Sequence, residues 1–249
     1  MGGEFDPRNQ HYGSVAQLAE RKAYTFRIRQ ITVRLGVRVP PLLFFYFKFM
    51  TLHELFPTIV SQESLKDNIL EEEKQNLKNF NSMIKSYGNY ISEEKYILNN
   101  VKFLNLKNKI EEKLQSYLNQ IYKPCEEVKI YITQSWITVT KPQGWHHQHK
   151  HPNSFLSGVF YLQVEKDDEI NFYNDSYQQI LLSSKVYDKY NSSEWTLNID
   201  NYDLLIFPSS LSHSVKKTSD NSIRVSLAFN TFLTGKIGDE NTSSGLILE

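Results

Sequence analysis

The sequence predicts a mainly β protein, an antiparallel sandwich or jelly roll with a helical segment at its N-terminal side. Three observations carry this expectation. From Val128 onward the chain breaks into roughly six to eight short runs dominated by β-branched and aromatic residues. These runs follow one another too closely for helical crossovers, so a parallel sheet is excluded. The stretch before them, residues 61–122, is rich in Leu, Glu, Lys, Gln and Asn instead. Helices at one end and strands at the other match a layered fold rather than an alternating α/β one.

The elements follow in order. HELFPTIVSQ, from His53, reads as extended, because Pro57 opposes a continuous helix. Residues 61–122 read as two or three amphipathic helices broken near Tyr87-Gly88. Ile110, Leu114, Leu118 and Ile121 keep helical spacing there. The charged residues between them read as solvated faces. VKIYITQSWITVT, Val128 to Thr140, alternates apolar and polar positions as a strand does. KPQGW is a turn. SFLSGVFYLQV, EINFY, EWTLNI, DLLIFP and IRVSLAFNTF are the later strands, with Asp200-Asn201 turning the chain between the third and the fourth. Residues 235–249 read as a flexible tail. The expected organisation is therefore a leader at 1–49, an extended and helical support at 50–125, a β core at 126–234 and the tail.

The composition bounds the function. Hydrophobic residues make up 40% of the 249 and aromatic residues 13%, enough for a core and too apolar for a disordered chain. Formal net charge is zero, so no global field draws the chain to nucleic acid or to a membrane surface. Cys125 is the one cysteine, which excludes a disulfide framework and a cysteine-based zinc site. Such usage fits a reducing, cytosolic compartment. The apolar run PPLLFFYF, residues 40–47, is too short to span a bilayer.

A sharp compositional break falls at Met50. Residues 1–49 hold six arginines and two lysines; the remainder holds one arginine, Arg224, and nineteen lysines. Three alanines precede the break and only Ala228 follows it. The leader carries five net positive charges and the body five net negative ones. GSVAQLAE and GVRVPPL resemble conceptual translations of a transfer-RNA gene. We read residues 1–49 as a non-native upstream extension, with a basic amphipathic arm as the alternative. The mildly acidic body does not indicate a nucleic-acid partner.

Chemistry concentrates in the histidines. Four of the seven lie in WHHQHKHPNS, as His146, His147, His149 and His151; His213 follows the apolar run DLLIFPSS. On a strand, His149 and His151 share one face. With His213 from a later strand they make a three-point facial arrangement that leaves coordination positions open. Open positions suit oxygen chemistry at non-heme Fe(II), whose usual protein set is two histidines and a carboxylate. His151 stands where the carboxylate would be, giving an H-x-H variant with three neutral ligands. Zinc also accepts three histidines. For any one histidine alone, a surface or hydrogen-bonded role is the plainer alternative. His146 and His147 read as neighbours of the centre rather than ligands. Arg224 shares a strand face with Ser226, and a guanidinium beside a hydroxyl grips a carboxylate bidentately where lysine does not. A surface salt bridge is the alternative for Arg224.

H-x-H-P-N-S-x-L-S-G-V-x-Y-L, F-P-S-x-L-x-H-x-V and R-V-S-x-x-F-N together resemble the 2-oxoglutarate/Fe(II) oxygenases of phage and bacterial genomes. The resemblance runs from residue 50 to about 233 and is strongest after Ser135; HELFPTIV resembles that family's usual start. It implies a double-stranded β-helix, Fe(II) and 2-oxoglutarate. It implies His149, His151 and His213 as metal positions, and Arg224 with Ser226 as partners of the distal 2-oxoglutarate carboxylate. Tyr161 is a further candidate for that carboxylate, with core packing as the equal alternative. Trp136 and Asn230 would wall the site. The implied reaction couples decarboxylation of 2-oxoglutarate to succinate with hydroxylation of a C–H bond. The substrate is not legible: a protein side chain, a nucleobase and a small metabolite all remain open, as does the oligomeric state. Two other readings stand beside this one. A cupin-like metalloenzyme that does not use 2-oxoglutarate would keep the histidines and not need Arg224. A non-catalytic jelly-roll binding module would need neither.

Overall fold

The computed structural model describes residues 53–176, 180 and 182–249. The leader expected at 1–49 lies outside them. Phe56–Glu249 forms one compact unit, and its strands build two sheets. The larger runs in the order β1 (Ser61–Ser64), β9 (Asp203–Pro208), β6 (Leu156–Gln163), β11 (Arg224–Ile237), β4 (Val128–Thr140), β3 (Tyr90–Ser92), β2 (Met83–Lys85), with β12 (Leu246–Leu248) paired on β11. The smaller runs β5 (His146–His149), β10 (Ser212–Val215), β7 (Asp168–Tyr173), β8 (Glu194–Ile199). Every named strand pair is antiparallel. Two facing antiparallel sheets with non-sequential strand order are the jelly-roll architecture that the sequence predicts.

Strand alternation divides the large sheet into two chemically different faces. Val225, Leu227 and Phe229 of β11 join Ile137, Phe160, Leu204 and Ile206 in a core under the helices. That core is closed by α2 (Leu104–Tyr117), whose Leu106, Ile110 and Leu114 are buried at the helical spacing read from the sequence. On the other face, Tyr161, Leu205 and Phe207 meet Ile170 and Phe172 of the small sheet in a second core. The intervening residues of β11 and β4 (Arg224, Ser226 and Ala228; Trp136, Thr138 and Thr140) line a cleft between the sheets.

The helical support differs in detail from its expectation. α1 (Glu71–Lys78) and α2 form, but residues between them make the β2–β3 hairpin. The break placed at Tyr87-Gly88 is its turn, where Gly88 has φ +73°. Glu73 ties the two helices together. Its carboxylate accepts from the Leu70 and Leu106 backbone N–H groups at 3.0 and 2.7 Å, and from Asn105 Nδ2 at 3.0 Å. A carboxylate on these helix N-terminal amides satisfies donors that no helical bond can reach. α2 passes into a π-helical turn, Leu118–Tyr122, and ends at Lys123 in the left-handed region.

Residues 235–249 differ from the expected flexible tail. β11 runs to Ile237, the chain turns through Gly238 at φ +77°, and Leu246–Leu248 pairs back on Gly235–Ile237. The turn is polar and glycine-rich, which is why it reads as a tail. SHSV also forms a strand of its own, β10, too short to stand out from the turn before it.

Candidate metal centre

Three imidazoles converge at one end of the cleft. β10 pairs with β5 so that His213 lies directly opposite His149. His151 lies two residues past the end of β5, where its backbone N–H donates to the Ser209 carbonyl at 3.0 Å. The three histidines present nitrogen atoms within 4.8 Å of one another. The strand therefore supplies one ligand and the turn after it another, rather than both coming from a single strand.

The outer nitrogens fix the tautomers. His149 Nδ1 lies 2.8 Å from the His147 carbonyl, and His213 Nδ1 lies 3.0 Å from the Leu211 carbonyl. A carbonyl only accepts, so both Nδ1 atoms carry hydrogen and both Nε2 lone pairs face inward. His151 Nδ1 donates to Asn230 Oδ1 at 2.6 Å, with Ser157 Oγ also 3.0 Å from that nitrogen and 3.0 Å from Asn230 Oδ1. His151 Nε2 then meets His149 Nε2 at 3.1 Å. Two lone pairs at that distance repel unless a proton or a cation lies between them. Burial opposes the proton: it pushes His149 down to about 4 and His213 to about 3, and lowers His151 against the pull of Asn230. Neutral, inward-facing imidazoles with partnered outer nitrogens are what a divalent metal requires. The donor set fits Fe(II), and among the described residues no carboxylate joins this group; Lys150, beside His151, pairs with Asp175 at 2.7 Å.

His146 and His147 form a second group with His149. An imidazole nitrogen has one lone pair, and His149 Nδ1 is taken, so the two groups compete for the same Nε2 atom. The His146 ring is tilted against that of His149, ring centres 4.4 Å apart, and burial pushes its pKa down to about 3. Trp136 walls the metal end, its ring 5.9 Å from His151.

Arg224 lies at the far end of the cleft. The register sets it opposite Thr140, and Ser226 between Thr138 and Tyr161. The sequence did not indicate its partner. Asp168, at the start of β7 in the small sheet, takes Arg224 Nε on Oδ2 at 2.7 Å and Arg224 Nη2 on Oδ1 in an ion pair whose side chains are about 4% and 3% exposed. This buried pair replaces the surface salt bridge weighed as the alternative. It uses two of the five guanidinium N–H bonds and leaves the Nη1/Nη2 edge for a second carboxylate. Asp168 carries no sequence signal: an acid opening a strand is indistinguishable from a turn residue. Tyr161 is almost fully buried, and burial raises its phenol far above the ordinary range. Close packing shapes the floor as well. A Cβ at Gly158 would lie 2.6 Å from the Leu205 carbonyl and would overlap the Phe229 ring.

Comparison with known proteins follows the same outline. The model of a family described as "Putative 2OG-Fe(II) oxygenase" matches residues 134–230. HygX of Streptomyces hygroscopicus, crystallised with nickel and 2-oxoglutarate, aligns with a TM-score of 0.50 at 10% identity, covering 70% of this chain and 82% of its own. SnoN, described as a non-heme alpha ketoglutarate dependent epimerase from nogalamycin biosynthesis, aligns with a TM-score of 0.50 at 8% identity, covering 70% and 76%. At these identities the alignments speak for the fold. No curated protein matches the chain.

Proposed function

We propose that this chain, whose residues 134–230 match the model of a family described as "Putative 2OG-Fe(II) oxygenase", uses its own residues for 2-oxoglutarate- and Fe(II)-dependent oxidation. His149, His151 and His213 hold the iron through Nε2. Asn230 and Ser157 keep His151 in the required tautomer, and the His147 and Leu211 carbonyls do the same for His149 and His213. Arg224 binds the distal carboxylate of 2-oxoglutarate through its free edge, with Ser226 and Tyr161 beside it. Asp168 holds that guanidinium in place before the cosubstrate arrives. When bound, Fe(II) and 2-oxoglutarate supply oxidative decarboxylation to succinate, coupled to hydroxylation of a substrate C–H bond. The two sheets keep water from the metal end through Trp136, Phe172 and Phe207.

The observation that carries this reading is the pairing of three inward lone pairs with a buried guanidinium at the opposite end of one cleft. A cupin-like enzyme needs the first and not the second. The substrate is an organic molecule carrying the C–H bond to be oxidised. Among the described residues no helix is long and apolar enough to cross a membrane, and the reducing cytoplasm is the compartment we assign from cysteine usage.

The test is an anaerobic titration of the Fe(II)-loaded protein with 2-oxoglutarate, followed by the visible metal-to-ligand charge-transfer band. A saturable band that disappears in Arg224→Ala is expected. Iron binding without a band would favour the cupin-like reading, and a folded protein that binds no iron would leave the binding module.

A further inference from the structure

Among the described residues, five buried side-chain nitrogen or oxygen atoms have no hydrogen-bond partner, and three of them lie along one seam. They are Nδ2 and Oδ1 of Asn89 and Nδ1 of His147. The seam joins the β2–β3 hairpin to β5 at the side of the cleft where the two sheets do not pair. Gly88 accepts from the Trp145 backbone N–H at 3.1 Å, and the Tyr87 ring lies edge-on to His147 with centres 5.0 Å apart. Asn89 is 2% exposed, yet its side chain lines the cleft next to Thr140 and His146.

A buried carboxamide without partners is unfavourable, and folds normally eliminate it. Asn89 offers one donor and one acceptor from a single planar group. The distal end of 2-oxoglutarate offers acceptors only, and so could satisfy Nδ2 but not Oδ1. The complement of Asn89 is another planar group with an adjacent N–H and C=O. Two exposed rings stand beside this position, Tyr87 at 72% and Trp145 at 44%. Aromatic faces at the entrance to a buried polar pair suit a flat, neutral group. Arg224, the arginine lining this cleft, is already neutralised by Asp168.

Resting on the oxygenase reading of the cleft, we infer that Asn89 recognises the primary substrate, and that this substrate presents a neutral planar amide edge. Asn89 pairs with that edge through both side-chain atoms while Tyr87 and Trp145 flank it. A carboxamide and the lactam edge of a nucleobase share this chemistry.

The experiment compares the wild-type chain with Asn89→Leu, which keeps the shape and removes the orphaned amide. Thermal unfolding without ligand is read first. A residue kept for a ligand rather than for the fold predicts an unchanged or higher melting temperature, with a rise of about 2–4 °C per orphaned group removed. A drop of similar size would mean that Asn89 has a structural partner, and would overturn the inference. The second measurement is succinate formation by the Fe(II)- and 2-oxoglutarate-loaded enzyme with added N-acetylglycinamide, uracil or N-acetylglycine. Acceleration by either amide, absent with N-acetylglycine and lost in Asn89→Leu, is expected; which amide acts identifies the source. Acceleration that persists in Asn89→Leu, or none with either amide, would overturn the inference. Absence of the charge-transfer band in wild type would fail the oxygenase reading separately, and the melting comparison would still decide whether Asn89 serves the fold.

Discussion

The proposed metal centre depends on the groups that hold its three imidazoles in place. The Asn230 side chain and two backbone carbonyls hold hydrogen on the outer ring nitrogens, so that the inner ones are free. His213→Ala is therefore expected to abolish iron binding, measured as iron content of the purified protein. Asn230→Ala should leave the fold intact and lower iron affinity by roughly 10–100-fold, since His151 loses its orientation rather than its lone pair. Arg224 and Asp168 present the opposite problem, a buried charge that must be balanced. Asp168→Asn should destabilise the protein by about 3–5 kcal/mol, the cost of an uncompensated buried guanidinium. Adding 2-oxoglutarate should then raise the melting temperature of this variant more than that of wild type, because its carboxylate restores the balance. Equal shifts in the two proteins would separate Arg224 from the cosubstrate. H-x-H and the single body arginine were visible as residue types. Asp168 and Asn89 were not, because a buried acid or amide differs from an exposed one only in what surrounds it.

At the scale of elements, α2 fastens the extended N-terminal stretch to the core. Tyr117 Oη donates to the Ile59 carbonyl at 2.7 Å, and burial, with a smaller contribution from Tyr122, pushes its phenol up to about 12. An unfolded tyrosine ionises near 10. The folded value is the higher one, so this contribution is complete below pH 10 and is lost as the pH rises toward 12. Stability measured by denaturant titration should fall across that window, and Tyr117→Phe should flatten the fall while costing about 1 kcal/mol at neutral pH. The long strands were legible because apolar and polar residues alternate along them: Val225, Leu227 and Phe229 go to the helices, Arg224, Ser226 and Ala228 to the cleft. The β2–β3 hairpin was not, because three-residue strands carry too few side chains to display a period. β12 and the turn before it were hidden by the same shortness and by glycine.

For the whole molecule, among the described residues the two cores and the cleft are built from Ile59 onward. A chain begun at Met50 is expected to fold, bind iron and give the charge-transfer band. Loss of folding in that chain would make the arginine-rich leader part of the protein's structure. The sequence by itself determined the strand-rich body, its antiparallel character, the histidine and arginine positions and the likeness to the oxygenase family. Those follow from residue types and local periods, which need no knowledge of what packs where. Only the tertiary structure decided that His213 faces His149 across β10 and β5, that Asp168 reaches Arg224 from the other sheet, and that Asn89 is buried without a partner. The first two are relations between residues 64 and 56 positions apart in the chain, and their energies come from burial and charge pairing that exist only once the sheets have closed.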